Sequence, residues 1–152
     1  MTFQDAYALY GKYIGDWGAE STEFKFVGYM AGKPVITRIK APWEAMDLDI
    51  NISSTTLVEG STYDVAEVRI KVVDQNGNVL TFFNGNLDVS TEGPIEIYGP
   101  DRVDIRGGMG GVYVRTTGET GNALLKVNFI DGVGGSCFDI IKTVEFNVVG
   151  GQ

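Results

Sequence analysis

Asp74, Asn76 and Asn78 stand at i, i+2 and i+4, the spacing at which a calcium loop places its first three oxygen ligands. The rest of such a loop is missing. Val79 holds the sixth place, where the sharp turn needs Gly, and Gly85 holds the twelfth, where a bidentate Glu belongs. Asn76-Gly77 between apolar runs reads instead as a hairpin turn, because both residues tolerate positive φ. Asp47, Asp49 and Asn51 alternate along one strand face. Paired carboxylates can exchange protons, or hold calcium with a second strand, but alternating acids on a strand read more simply as a solvated face. The run Gly107-Gly108-Met109-Gly110-Gly111 lacks the Gly-Lys-Ser/Thr ending and the following helix of a phosphate loop. It reads as a turn or bulge leading into a strand at Val112–Thr116. Cys137 has no His anywhere in the chain to act as its base, so it reads as a structural thiol. No catalytic, cofactor-binding or metal residue is assigned.

Aromatic side chains are the remaining candidates. The chain holds 7 Tyr, 8 Phe and 2 Trp, and an exposed ring can stack on the face of a sugar while its polar tip hydrogen-bonds. Trp17, Trp43, Tyr98 and Tyr113 are the candidate positions for sugar or inter-domain contact, with Phe82 and Phe83 beside them. The competing reading is packing, since large rings dominate sandwich cores and domain interfaces.

Composition narrows the classes. With 12 Lys and Arg against 20 Asp and Glu, the net charge is -8. That argues against nucleic acid, because phosphate binding requires Lys and Arg to displace counterions. The absence of His excludes a Ser-His-Asp triad and His-ligated zinc or haem. One Cys excludes an internal disulfide and a thiolate cluster. At 152 residues one domain is the default, and a (β/α)8 barrel, at roughly 250 residues, does not fit. No basic cluster followed by an apolar run marks a signal peptide, and no stretch approaches the ~20 apolar residues of a membrane span. Neither a membrane nor a cofactor is expected, and the compartment is left open.

These residues need elements to position them. Phe3, Ala6, Tyr7, Tyr10, Tyr13 and Ile14 recur at helical spacing, predicting an amphipathic helix over residues 2–14. Thr2 with Asp5 forms a capping box and Gly15 suits the helix end. A helix this short requires a surface to lie on. After Gly18 the pattern becomes period-2: Met46, Leu48, Ile50 and Ile52 alternate with polar residues, as do Ala66, Val68, Ile70 and Val72. Further strands are expected around Phe24 and Phe26, and at Val35–Ile39, Val79–Phe83, Leu87–Ser90, Ile95–Tyr98, Val112–Thr116, Leu124–Ile130 and Thr143–Val149. Strands at this spacing, with Gly, Pro and Asn between them, predict an all-β antiparallel sandwich. Residues 1–18 are read as a helix with its connector, and residues 19–152 as the sandwich.

The order Asp74-Gln75-Asn76-Gly77-Asn78, then Glu92-Gly93-Pro94, then Gly107 to Gly111 and Tyr113-Val114-Arg115-Thr116-Thr117-Gly118 resembles the immunoglobulin-like modules C-terminal to the catalytic barrel in bacterial β-galactosidases of glycoside hydrolase family 2. Tyr13-Ile14-Gly15-Asp16-Trp17-Gly18 resembles the segment that precedes this module. The resemblance implies an immunoglobulin-like sandwich and a non-catalytic role, bracing the barrel or subunit contacts. The two catalytic Glu residues of that family sit on barrel strands, so none is carried over to this chain. The implied partners are the other domains of a parent enzyme, contacted through the helix at Tyr7, Tyr10, Tyr13 and Trp17. A carbohydrate-binding module and an adhesin-like surface module are the alternatives.

Overall fold

A computed structural model describes residues 2–13, 22–130 and 139–151. Gly15, Trp17 and Cys137 lie outside them. Contacts divide the chain into two compact units, Met1–Trp43 and Glu44–Gln152.

In the first unit, α1 spans Phe3–Tyr13. Its start is the expected capping box: the Thr2 amide donates to Asp5 Oδ2 at 2.7 Å, and the Asp5 amide donates to Thr2 Oγ1 at 3.2 Å. These bonds hold the Asp5 carboxyl below its ordinary pKa, the Thr2 backbone bond contributing most. On its apolar face Phe3, Ala6, Tyr7 and Tyr10 are exposed. Phe3 is 86% exposed, and its ring stacks on Tyr7, centroids 6.5 Å apart. Strands β1 (Phe24–Met30) and β2 (Lys33–Lys40) pair as an antiparallel hairpin that forms a sheet of its own. Phe24, Phe26, Tyr29, Met30, Val35 and Ile36 are all exposed on it.

The second unit is a β-sandwich. One sheet orders β3 (Met46–Ile52), β5 (Val65–Asp74), β9 (Met109–Thr116) and β7 (Ile95–Tyr98). The other orders β4 (Thr56–Glu59), β11 (Asp139–Gly150), β10 (Gly121–Ile130), β6 (Gly85–Glu92) and β8 (Arg102–Ile105). All pairs are antiparallel except β4 with β11, which run parallel. The chain thus changes sheets between β3 and β4, the edge device of immunoglobulin-like sandwiches. Ala66, Val68, Ile70 and Val72 from β5 meet Leu125, Val127 and Phe129 from β10 in the core, with Leu57, Leu87, Ile105 and Val114 around them. Period-2 patterning puts these residues on inner faces while Glu67, Arg69 and Lys71 point outward.

Three expectations change. The segment Val79–Phe83 is not a full partner strand: it makes one bridge, Val79 to Val73, and then turns, with the Phe83 amide donating to Leu80 O at 2.9 Å. Phe83 leaves that strand direction because its ring packs edge-on against Phe129 of the other sheet, centroids 5.3 Å apart. Strands β4 and β8 were not expected. Each is four residues long, with Leu57, Val103 and Ile105 turned inward. The glycine run splits. Gly107 and Gly108 make a tight turn between Arg106 and Met109, whereas Gly110 and Gly111 lie within β9.

Candidate functional site

The Asp74 turn spends its carboxylate on the chain itself. Asp74 Oδ1 accepts from the amides of Asn76 and Asn78, both at 2.8 Å, and Oδ2 accepts from Asn78 Nδ2 at 2.9 Å. Gly77 alone takes positive φ, and its amide donates to Asp74 O. The loop is therefore an Asp-capped turn followed by a left-handed glycine, not the two-residue turn that Asn76-Gly77 suggested. Asp47 and Asp49 face outward on β3, and each meets a lysine. Asp47 bonds Lys142 of β11 at 2.8 Å, and Asp49 lies 3.5 Å from Lys71. The Lys142 bond holds the Asp47 carboxyl below its ordinary value. Among the described residues no group of three carboxylate, Cys or His side chains has the geometry of a metal site.

The aromatic candidates fare differently. Trp43 closes the first unit and is about half exposed. Phe83 joins the core, and Phe82 is exposed. Tyr98 and Tyr113 come together: β7 pairs with β9 so that they stand directly opposite, both about half exposed on the outer face of the four-stranded sheet.

Three residues that sequence reading passed over complete this face. The register sets Glu96 opposite Arg115, and Arg115 Nε donates to Glu96 Oε1 at 2.6 Å. Tyr63 arrives from the segment before β5. The Asp64 amide donates to Thr116 Oγ1, and the Thr116 amide to Asp64 O, both at 3.1 Å, which holds that segment against the end of β9. The Arg115 guanidinium then lies 5.1 Å from the Tyr63 ring centre and 5.2 Å from that of Tyr98, with the two rings 6.4 Å apart and inclined by 28°. The Glu96 bond raises the Arg115 pKa above its usual value. Farther along β5, Arg69 donates to Glu67 at 2.7 Å and its pKa is raised by that carboxylate. Same-face spacing of Glu67 with Arg69, Glu96 with Tyr98, and Tyr113 with Arg115 was legible as alternation. Their convergence was not.

Tyr113 stands between two recesses. One, of ≈400 Å³, lies at the edge of the sandwich, where Tyr98, Pro100, Gly111 and Val112 meet Arg102, Val103 and Asp104 of β8 in the other sheet. The other, of ≈290 Å³, is bordered by Glu67, Arg69, Gly110 and Gly111. Register explains the second: Arg69 faces Gly111 across the β5–β9 pair, so no side chain fills the space. A larger open cleft of ≈690 Å³ lies on the other sheet among Thr56, Glu92, Asn122, Leu124, Glu145 and Asn147. It offers no exposed ring, because Phe146 points into the core, and its Glu92 is bonded to Lys126.

The fold defines this chain as an immunoglobulin-like β-sandwich with a separate helix and hairpin before it. Solved structures agree. It superposes on a β-glycosidase from Bacteroides vulgatus with a TM-score of 0.64 at 17% identity, covering 85% of this chain and 18% of that one. A glycosyl hydrolase family 2 member from Bacteroides cellulosilyticus gives 0.61 at 15% identity, covering 84% and 17%. No family profile matches the sequence. Among curated relatives, a β-galactosidase of Rhizobium radiobacter is 36% identical over 113 residues, which is 74% of this chain and 81% of that protein. A β-galactosidase of Rhizobium meliloti is 35% identical over 98 residues, 64% of this chain but 13% of that protein. The chain belongs to the β-galactosidases, and its likeness to one part of glycosyl hydrolase family 2 structures agrees with the C-terminal immunoglobulin-like module that the resemblance implied.

Proposed function

We propose that the chain serves as a non-catalytic accessory module of a β-galactosidase-like hydrolase, bracing its catalytic barrel or its subunit contacts. The observation that carries this reading is the 13% share of the Rhizobium meliloti enzyme that the match occupies: most of such a chain, with room for a barrel and its paired carboxylates, lies elsewhere. The first unit supports a bracing role. A two-stranded hairpin is at best marginally stable alone, and here Phe24, Phe26, Tyr29 and Met30 lie open, as do Phe3 and Tyr7 of α1. In a parent enzyme these surfaces would be buried against neighbouring domains. On this reading the sandwich proper begins at Glu44, and residues 1–43 belong to the junction.

Two measurements test it. The isolated chain should not hydrolyse a chromogenic β-galactoside, and turnover that tracks the purified chain would overturn the assignment. Deleting the matching segment from the Rhizobium meliloti enzyme should lower its thermal midpoint or its subunit association with little change in KM; unchanged stability and assembly would overturn the bracing role.

A further inference from the structure

We propose that the surface around Tyr113, from the outer face of the β3–β5–β9–β7 sheet to strand β8 at the edge of the other sheet, is a binding site for a neutral oligosaccharide, with one sugar ring seated on each side of Tyr113. The proposal stands on the geometry of this face and goes beyond the bracing role.

Shape is the first support. Tyr113 forms a ridge with recesses of ≈400 and ≈290 Å³ to either side, the lower end of small-ligand volumes. A pyranose presents an apolar C–H face to an aromatic ring, and a half-exposed tyrosine carries that contact at little entropic cost because it has few rotatable bonds. Tyr98, directly across the β7–β9 pair, walls the larger recess. It is held there by Arg115, which bridges Tyr98 to Tyr63.

Hydrogen-bonding chemistry is the second. Each recess carries a carboxylate and a guanidinium on its border: Glu67 bonded to Arg69 in one, and in the other Asp104 and Arg102, each bonded to a partner outside the recess. Vicinal hydroxyls suit such an edge, since each can donate to the carboxylate while its oxygen accepts from the guanidinium.

Charge decides the class of occupant. Every guanidinium around Tyr113 is already bonded to a carboxylate: Arg69 to Glu67, Arg115 to Glu96, Arg102 to Asp88 and Arg106 to Asp104. A face neutralised in this way has no surplus cation for a phosphate, sulfate or uronate. It has equally little attraction for a basic ligand. A protein partner would bring an apolar interface centre depleted of charge, whereas these recesses are rimmed by ion pairs. An uncharged polyhydroxyl chain fits the ring, the recesses and the paired charges together.

The test is titration of the 152-residue chain by calorimetry, and by amide chemical shifts, with galactose, lactose and neutral galacto-oligosaccharides of three and four units. Saturable binding in the millimolar range or tighter is expected, at least fivefold stronger for lactose than for galactose because two rings straddle Tyr113. Shifts should concentrate at Arg69, Gly111 and Asp104, on both sides of the ridge. Tyr113→Ala should weaken binding at least tenfold, Tyr113→Phe should retain most of it, and Tyr29→Ala on the hairpin should leave it unchanged. Because Tyr113 is half exposed, the variant should keep its circular dichroism, which separates lost binding from lost fold. No saturable binding by any of these sugars, or binding indifferent to Tyr113→Ala, overturns the proposal. So does a preference for uronate-containing oligosaccharides. If Tyr113→Ala instead abolishes self-association seen by sedimentation, the face is a protein interface and the proposal falls.

Discussion

Gly93 offers the sharpest test of the packing described here. It sits in the short connection between β6 and β7, at φ +83°, and a Cβ placed on it would lie 2.5 Å from Asn122 O and 3.0 Å from Ala123 Cα. Both are backbone atoms of β10, held by the pairing of Asn122 and Ala123 with Asn147 and Phe146 of β11, and cannot swing away as a side chain can. Gly93→Ala therefore incurs two penalties. Left-handed backbone costs a non-glycine residue about 1–2 kcal/mol. Overpacking against fixed neighbours adds roughly 1–3 kcal/mol. Restricting the unfolded chain returns about 0.4–1 kcal/mol. The expected loss is about 2–4 kcal/mol, a fall in thermal midpoint on the order of 10–20 °C for a sandwich of this size. Gly77→Ala is the control. Its φ is +75°, but nothing lies within 4 Å of the added carbon, so only the conformational penalty applies and the loss should stay near 1 kcal/mol. Urea denaturation of both variants, followed by circular dichroism, measures the difference. Equal losses would refute the claim that the β6–β7 turn presses on the β10 backbone, and a Gly93→Ala variant within 0.5 kcal/mol of the parent (about the scatter of neutral surface changes) would refute the register as well.

Asp74→Ala should cost about 2–3 kcal/mol in the same assay, because the amides of Asn76 and Asn78 lose a charged acceptor, while millimolar calcium should leave the unfolding midpoint of the unmutated chain where it was. Lys142→Met should return the Asp47 carboxyl to an ordinary pKa, read by side-chain NMR titration. Since folding lowers that pKa, the pair's contribution is present above the unfolded carboxylate value near 4 and is lost as pH falls through the folded value. The variant should therefore flatten the acid limb of the stability profile by less than about 1 kcal/mol, as suits an exposed pair, and a steeper limb would contradict the sign.

Short-range signals carried much of the fold. The capping box at Thr2 and Asp5 was readable because its partners lie three residues apart. Helical spacing from Phe3 onward and the period-2 runs of β3 and β5 were equally legible, since one face of each element is chemically unlike the other. The Asn76-Gly77 turn was correctly located but mistyped, because the Asp74 side chain supplies hydrogen bonds that make positive φ unnecessary at Asn76. Strand β4 escaped notice because only Leu57 among its four residues is buried, too little for a period.

The sequence by itself determined the class of fold, the antiparallel sandwich and its family resemblance, because these rest on local alternation and on turn residues in a set order. It also removed histidine chemistry and disulfides, since those need residues the chain does not have. Only the tertiary structure decided which aromatics meet. Tyr98 and Tyr113 face each other through the β7–β9 register, Arg115 is drawn between Tyr63 and Tyr98 by Glu96 and by the Asp64–Thr116 bonds, and Gly111 leaves Arg69 an open neighbour. A one-residue slip of any of these strands would turn the same side chains to the opposite face. What resists the slip is the burial of Ile70, Val112 and Val114 on the inner side, a contest settled across dozens of residues of separation and so invisible to any local reading.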